Sequence, residues 1–181
     1  ENLFEKEFID IVVTSPPYGD SRTTVAYGQY SRLANEWLGY KSANQIDNIL
    51  MGGEKRKHNH AFKSDVLNDV IYTIQKQDKE RVRDVISFYE DYENSINNVS
   101  STLKKNALAC YVVGNRTVKG INIPTDEITA QLFEENNFTH IETIIRNIPN
   151  KRMPSKNSPS NVVGATASTM KNEFIVVCQK N

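Results

Sequence analysis

Ten residues constrain this chain more than any others: Asp10-Ile-Val-Val-Thr-Ser15-Pro16-Pro17-Tyr18-Gly19. The Val- and Ile-rich run predicts a buried strand over roughly residues 8–15, and the double proline ends it. Pro16 and Pro17 have no backbone N–H, so neither can continue a central ladder. Each also biases the residue before it toward extended geometry. The chain must therefore leave the strand by a stiff turn that projects Ser15, the Pro16 carbonyl and Tyr18 beyond the sheet.

Such a turn suits one kind of chemistry. The exocyclic amine of a nucleobase is a poor nucleophile, because its lone pair is delocalised into the ring. Two acceptors at fixed angles can take its N–H bonds and help to localise that pair, and Ser15 Oγ and the Pro16 carbonyl are such acceptors. The Tyr18 ring can stack on a base taken out of its helix.

Ser-Pro-Pro-Tyr behind a hydrophobic strand resembles the catalytic motif of the DNA amino-methyltransferases, which use S-adenosylmethionine and modify cytosine N4 or adenine N6. The resemblance implies a catalytic group of Ser15, Pro16, Pro17 and Tyr18, with S-adenosylmethionine as cofactor and DNA as partner. Serine in first place is commoner among the cytosine-N4 enzymes, so a restriction-modification type methyltransferase acting on cytosine N4 is implied first. Adenine N6 is the alternative within the class. Pro-Pro alone would mark only the end of a strand.

A length of 181 residues suits one domain with a real core. Twenty-two basic and 22 acidic residues cancel, so only local clustering of charge can speak for nucleic acid. No apolar run has membrane-spanning length and no signal-peptide pattern opens the chain, which leads to an expected cytoplasmic location without a membrane partner. Cys110 and Cys178 each sit in an apolar strand-like run and are expected as buried free thiols.

Residues 19–63 read as a loop and short-helix insertion. Gly19 to Arg32 is polar, carries Tyr27 and Tyr30, and reads as a long loop beside the catalytic turn, with Arg22 and Arg32 as candidate phosphate contacts. Short helices fit near 32–38 and 43–51, with Trp37 as a core anchor. Lys55, Arg56 and Lys57 form a compact basic cluster after Gly52-Gly53, a candidate phosphate-contacting loop. His58 and His60 have no third metal ligand nearby.

From Ser64, a candidate N-cap, to Lys105 the pattern is helical, with a polar link at 75–79 and the lysines Lys104 and Lys105 in the last turn. Residues 107–114 predict a second buried strand. Strand, helix, strand is the alternation of a parallel sheet, whose ligands bind beyond the carboxyl ends of the strands. Asn115 then falls on the same rim as Ser15, and Thr14 and Asn115 are the candidate cofactor contacts. A helix over 124–136 and strands over 138–148 and 173–179 complete the chain. Between those strands, residues 146–172 form a basic loop. Arg146, Lys151, Arg152, Lys156 and Lys171 occur there without an Asp or Glu, a candidate DNA-contacting region.

This order resembles the second half of a Rossmann-like methyltransferase sheet: α/β, mostly parallel, closed by a C-terminal antiparallel hairpin. The first half of that sheet carries a glycine-rich turn of the form Phe-x-Gly-x-Gly, and no Gly-x-Gly occurs in this sequence. Residue 1 is Glu and the first methionine is Met51. The expectation is therefore a single partial methyltransferase domain over 1–181, the catalytic half, with most of the cofactor site outside it. The strand at 8–15 would be an apolar edge if left bare. It is expected to be covered by a missing N-terminal half, a second subunit or a dimer mate. The reading from another class is a non-catalytic nucleic-acid-binding or scaffolding subunit.

Overall fold

A computed structural model of the chain describes residues 7–20, 27–55, 60–148, 156–157, 167–168, 170 and 172–181. Arg22, Arg56, Lys57, Lys151, Arg152 and Lys171 lie outside those residues, as does the side chain of Lys156.

β1 (Ile9–Thr14) stops at the double proline, as its sequence predicts. Next come α1 (Tyr27–Trp37), a 3-10 turn (Ala43–Gln45) and α2 (Ile46–Ile49). α3 (Asp65–Gln77) and α4 (Lys79–Thr102) lead into β2 (Leu103–Val113). A small hairpin, β3 (Arg116–Val118) and β4 (Ile121–Ile123), precedes α5 (Thr125–Glu134). The chain closes with β5 (Phe138–Asn147), the two-residue strands β6 (Lys156–Asn157) and β7 (Ala167–Ser168), and β8 (Asn172–Lys180).

Four strands form one sheet in the order β1-β2-β8-β5. β1 and β2 pair in parallel, whereas β8 is antiparallel to both its neighbours. β1, β2 and β5 therefore share a direction, and β8 is threaded between β2 and β5 as the return arm of the C-terminal hairpin. The strand boundaries expected at 138–148 and 173–179 hold to within a residue.

One face of the sheet is packed. Ala109, Tyr111 and Val113 of β2 and Val176 and Cys178 of β8 are buried in one cluster with Leu67 and Ile74 of α3, Phe88, Tyr89 and Tyr92 of α4, and Leu132 and Phe133 of α5. Two buried tyrosine–threonine hydrogen bonds tie α4 to α5, Tyr89 to Thr125 and Tyr92 to Thr129, each at 2.9 Å. Each contributes about 1 kcal/mol net. The other face is different. Leu108, Cys110 and Val112 are only half-buried there, and on the edge strand Ile11 is 53% and Val13 69% exposed. Sheets with parallel strands are ordinarily covered on both faces, yet among the described residues this second face and the outer edge of β1 stay open.

Three expectations are corrected. The segment expected as a loop through residue 32 is helical from Tyr27, and Trp37 is no core anchor: it is 94% exposed. The inward face of α1 is built on Gly28, whose N–H donates to Asp47 Oδ1 at 2.7 Å. A Cβ at Gly28 would lie 2.6 Å from Asp47 Oδ2, so the close contact falls on the glycine and the aromatic stripe turns outward.

The helical run from Ser64 breaks at Asp78, which accepts from Glu80 N (3.1 Å) and Arg81 N (2.9 Å) as the N-cap of α4. It ends at Thr102 and not at Lys105. Leu103 is already extended (φ −78°, ψ 138°) and pairs with Ile9, so Lys104 and Lys105 are strand residues. Lys104 Nζ meets Asp10 Oδ1 at 2.9 Å, and the ladder bulges between Ile9 and Ile11, where Asn106 takes φ 63°.

The β3–β4 hairpin was not expected. Its turn, Lys119-Gly120, has positive φ at both positions (53° and 79°), the geometry that fits the twist of a two-residue hairpin. Ser64 caps α3 as expected, accepting from Leu67 N at 3.1 Å.

Candidate active site

The double proline delivers Ser15 and Tyr18 to the carboxyl end of β1. Ser15 is exposed, and Pro16, Pro17 and Tyr18 are half-buried. Ser15 Oγ donates to Tyr18 Oη at 3.3 Å, and Tyr18 Oη donates to Glu173 Oε1 at 3.0 Å. Glu173 Oε2 lies 3.5 Å from Arg146 Nη2, and these two residues are direct cross-strand partners on β8 and β5. The turn after β1 is thus hydrogen-bonded to the far hairpin of the sheet. Burial raises the Tyr18 phenol above its ordinary range; the Ser15 hydrogen bond pulls it down, and the Glu173 hydrogen bond and charge push it further up. The phenol is neutral and donates.

The Tyr18 ring rests against Gly114, the residue after β2. A Cβ there would overlap Met170 Sδ and meet Tyr18 Cδ2 at 3.0 Å, so only glycine leaves room for both. In front of the turn lies a cavity of about 520 Å³, lined by Ser15, Pro17, Gly19, Tyr27, Ile49, Leu50 and Met51. Its size and mostly apolar wall lie in the range of small-molecule pockets. A second concavity of about 550 Å³ lies along Leu33, Ala34, Glu36 and Trp37 of α1, on the outward stripe and away from the turn chemistry.

Below the turn, buried charge holds the chain. Asp20 is wholly buried, 3.2 Å from Arg116 Nη1 and 3.9 Å from Arg81 Nη2. Arg81 also pairs with Asp84 at 3.0 Å, and Asp84 with Lys55 at 3.0 Å. Buried charges survive only when paired in this way. Gly52 (φ 70°) admits Asp20: a Cβ at Gly52 would stand 2.8 Å from the Asp20 Cβ. Gly53 packs as tightly, since its Cβ would overlap the Asp47 carbonyl. The two glycines serve packing under the site.

A family model described as DNA methylase, of the N6/N4 methyltransferase type, matches residues 9–181. The chain belongs to this DNA methylase family. The type II methyltransferase M.MvaI of Kocuria varians is 45% identical over 187 residues, covering 96% of this chain. The chain spans 41% of the length of that relative. Among solved structures, the putative DNA modification methylase TTHA0409 of Thermus thermophilus aligns over 98% of this chain and 48% of its own, with 15% identity and a TM-score of 0.48. The same protein complexed with S-adenosyl-L-methionine aligns over 98% and 50%, with 16% identity and a TM-score of 0.47.

In this DNA methylase chain the expected catalytic residues Ser15, Pro16, Pro17 and Tyr18 lie together at one sheet end. Thr14 ends β1 opposite Tyr111. Asn115 follows β2 on the same rim, but its Oδ1 accepts from Asp126 N at 3.2 Å and so holds the start of α5. Lys55, expected to face phosphate, directs its ammonium to the buried Asp84. Arg32 pairs with Glu36 one helical turn on, at 3.0 Å. Arg146 is exposed and bound to Glu173 at the edge of the site. His60 meets Glu93 at 3.0 Å.

Glu173, Gly114, Asp20 and Arg116 were missed in the sequence. Glu173 did leave a signal: it is the first acid after the acid-free stretch from Arg146 to Lys171. The other three are recognisable only by contact. No helix among the described residues is long and apolar enough to cross a membrane.

Proposed function

We propose that this chain is the catalytic half of a DNA methyltransferase that moves a methyl group from S-adenosylmethionine to an exocyclic amine of a DNA base, cytosine N4 first. The observation that carries this reading is Ser15 in the wall of the 520 Å³ cavity, hydrogen-bonded to Tyr18 behind it. Because the Ser15 proton is directed to Tyr18, the Ser15 oxygen turns its lone pairs to an incoming amine N–H. The Pro16 carbonyl is the second acceptor, and the Tyr18 ring, propped on Gly114, is the stacking surface. Taking a base out of its helix costs a few kcal/mol, and stacking on Tyr18 returns about 1–3 kcal/mol. Arg146 and the basic loop over 146–172, with Lys151, Arg152 and Lys156, would contact phosphate, as would Arg22, Arg56 and Lys57. The family membership and the similarity to a type II methyltransferase support the restriction-modification setting.

S-adenosylmethionine supplies a methyl on an already activated sulfonium, so the protein needs mainly in-line placement and a dry pocket. The residues present fit only the acceptor side of that reaction. Thr14 and Asn115 stand on the right rim, but the Asn115 oxygen is already engaged, and the sequence has no Gly-x-Gly turn. Most of the cofactor site would therefore come from a further segment, a second subunit or a dimer mate. The bare β1 edge, with Ile11 and Val13 exposed, is the surface such a partner would cover.

Incubating the completed enzyme with DNA and labelled S-adenosylmethionine, then analysing the digested nucleosides, tests the reading. Labelled N4-methylcytosine is expected. N6-methyladenine would transfer the reading to the adenine class. Absence of label in both bases, with DNA binding retained, would favour a non-catalytic nucleic-acid-binding subunit. Alone, the 181-residue chain should bind the cofactor weakly or not at all.

A further inference from the structure

We propose that Glu173 is the terminal acceptor of a proton relay that runs from the substrate amine through Ser15 Oγ and Tyr18 Oη. The proposal rests on the methyl-transfer reading above and deepens it.

Methylation of an exocyclic amine leaves a proton to be removed. As the N–CH3 bond forms and the S–CH3 bond of the sulfonium donor breaks, the positive charge moves from sulfur to the ring amine. That cationic amine is a strong acid, so a carboxylate is competent to receive its proton. Among the described residues, no carboxylate lines the cavity. The hydrogen bonds instead lead away from it in one direction: Ser15 donates to Tyr18, and Tyr18 donates to Glu173. The amine N–H proton passes to Ser15 Oγ as the Ser15 proton passes to Tyr18 Oη and the phenolic proton to Glu173 Oε1. Serine and tyrosine end as they began, and the product amine and the thioether are both neutral. The one net change in the protein is a protonated Glu173.

Three observations favour Glu173 as the end of the chain. Its second oxygen lies 3.5 Å from Nη2 of the exposed Arg146, which sets a fixed positive charge beside the accepting carboxylate. The cross-strand register of β5 and β8 fixes that pair independently of the turn. The Tyr18 phenol, raised by burial and by Glu173, stays a neutral donor able to hand its proton on. The Ser15–Tyr18 bond at 3.3 Å is longer than the 2.5–3.0 Å typical between oxygens. Such bonds shorten when substrate fills a site, and an amine on Ser15 would strengthen it by polarising the chain.

The test is a double-substitution cycle in the active, completed enzyme, read by single-turnover methyl transfer and by DNA affinity. Glu173→Gln and Tyr18→Phe are each expected to slow transfer by about 100-fold, at the lower end for a positioned proton acceptor, with DNA affinity unchanged within about 3-fold. The double variant should be no slower than the slower single one, because both break the same relay. Glu173→Asp should recover part of the rate. A readout independent of turnover is the alkaline difference spectrum between Glu173→Gln and Glu173→Gln/Tyr18→Phe. It should show Tyr18 ionising at lower pH than in the corresponding Glu173 pair.

Transfer at the parental rate in Glu173→Gln would overturn the relay while leaving the methyltransferase reading intact. So would a double variant whose loss is the product of the two single losses. A parent enzyme that transfers no methyl group to any base would overturn both.

Discussion

Asp20 and Arg116 meet at 3.2 Å beneath the proline turn, with the Asp20 carboxylate sealed from solvent and the Arg116 guanidinium 5.3 Å over the Phe88 ring. Asp20 follows closely on Ser15 in the chain, so this pair anchors the turn from its far side. Removing one partner of a buried pair costs about 3–5 kcal/mol. Asp20→Ala is expected to lower stability by that amount, seen as a shift of the urea midpoint. A midpoint equal to the parent would mean that the pair does not hold the turn.

On the proposed reading, Ser15→Ala removes the acceptor offered to the reacting amine together with the donor to Tyr18 Oη. Methyl transfer should fall by at least about 100-fold, while the thermal midpoint and DNA affinity stay within error. Tyr18→Ala should in addition weaken binding of a flipped base by about 1–3 kcal/mol, read with a fluorescent base analogue at the target position. Normal transfer by both variants would end the catalytic assignment.

Gly114→Ala tests the support of the ring. The added methyl group overlaps Met170 Sδ and presses on Tyr18 Cδ2. Transfer should drop by about 10-fold or more through misplacement of Tyr18, with a smaller effect on stability than a core truncation. Unchanged kinetics would show that the ring position is not set by Gly114.

Alkali should unfold the chain over a defined window. Burial raises Tyr111 from 10.0 to about 12 and Cys178 from 9.0 to about 12, and raises Tyr89 and Tyr92 as well. A raised folded-state value means that the folded chain holds its proton more tightly than the unfolded chain. That stabilisation is complete below the unfolded value and is lost as pH climbs through the folded one. Stability measured by urea titration should be level to about pH 9 and fall between about pH 9 and 12. In Cys178→Ala the first part of that decline should flatten. A flat profile to about pH 12 would contradict the burial of these groups.

Val13→Lys probes the open edge. Val13 is 69% exposed, so the change should cost the isolated fold less than about 0.5 kcal/mol. In the proposed assembly, where a partner covers this edge, burying the new charge costs far more, so association with that partner should weaken by at least about 10-fold. Titration calorimetry or rescue of activity measures that loss. Full-strength reassembly would place the partner elsewhere.

The chain itself determined the four strands of its main sheet, most of its helices and the proline turn. Those features rest on local physics: the β-branched run of β1, two prolines without donors, the capping hydroxyl of Ser64 and the apolar stripe of α4. Sequence patterns are less informative where long-range contact outweighs local preference. Trp37 has the composition of a core anchor, yet Gly28 takes the contact with Asp47 and turns the aromatic face outward. Lys104 and Lys105 look like a helix end, yet pairing with β1 draws them into a strand. Lys55 reads as a free basic residue, yet it lies against Asp84, which is 29 positions further along the chain.

The joining of Tyr18 to Glu173 was decided by the tertiary structure alone. The two residues are 155 positions apart, and no local pattern links them. They meet because β8 enters the sheet between β2 and β5, which brings the start of the last strand to the end of the first parallel pair. Periodicity and proline chemistry specify what each segment becomes. Which carboxylate ends beside which hydroxyl depends on strand order and register, and these are set by burying one shared face.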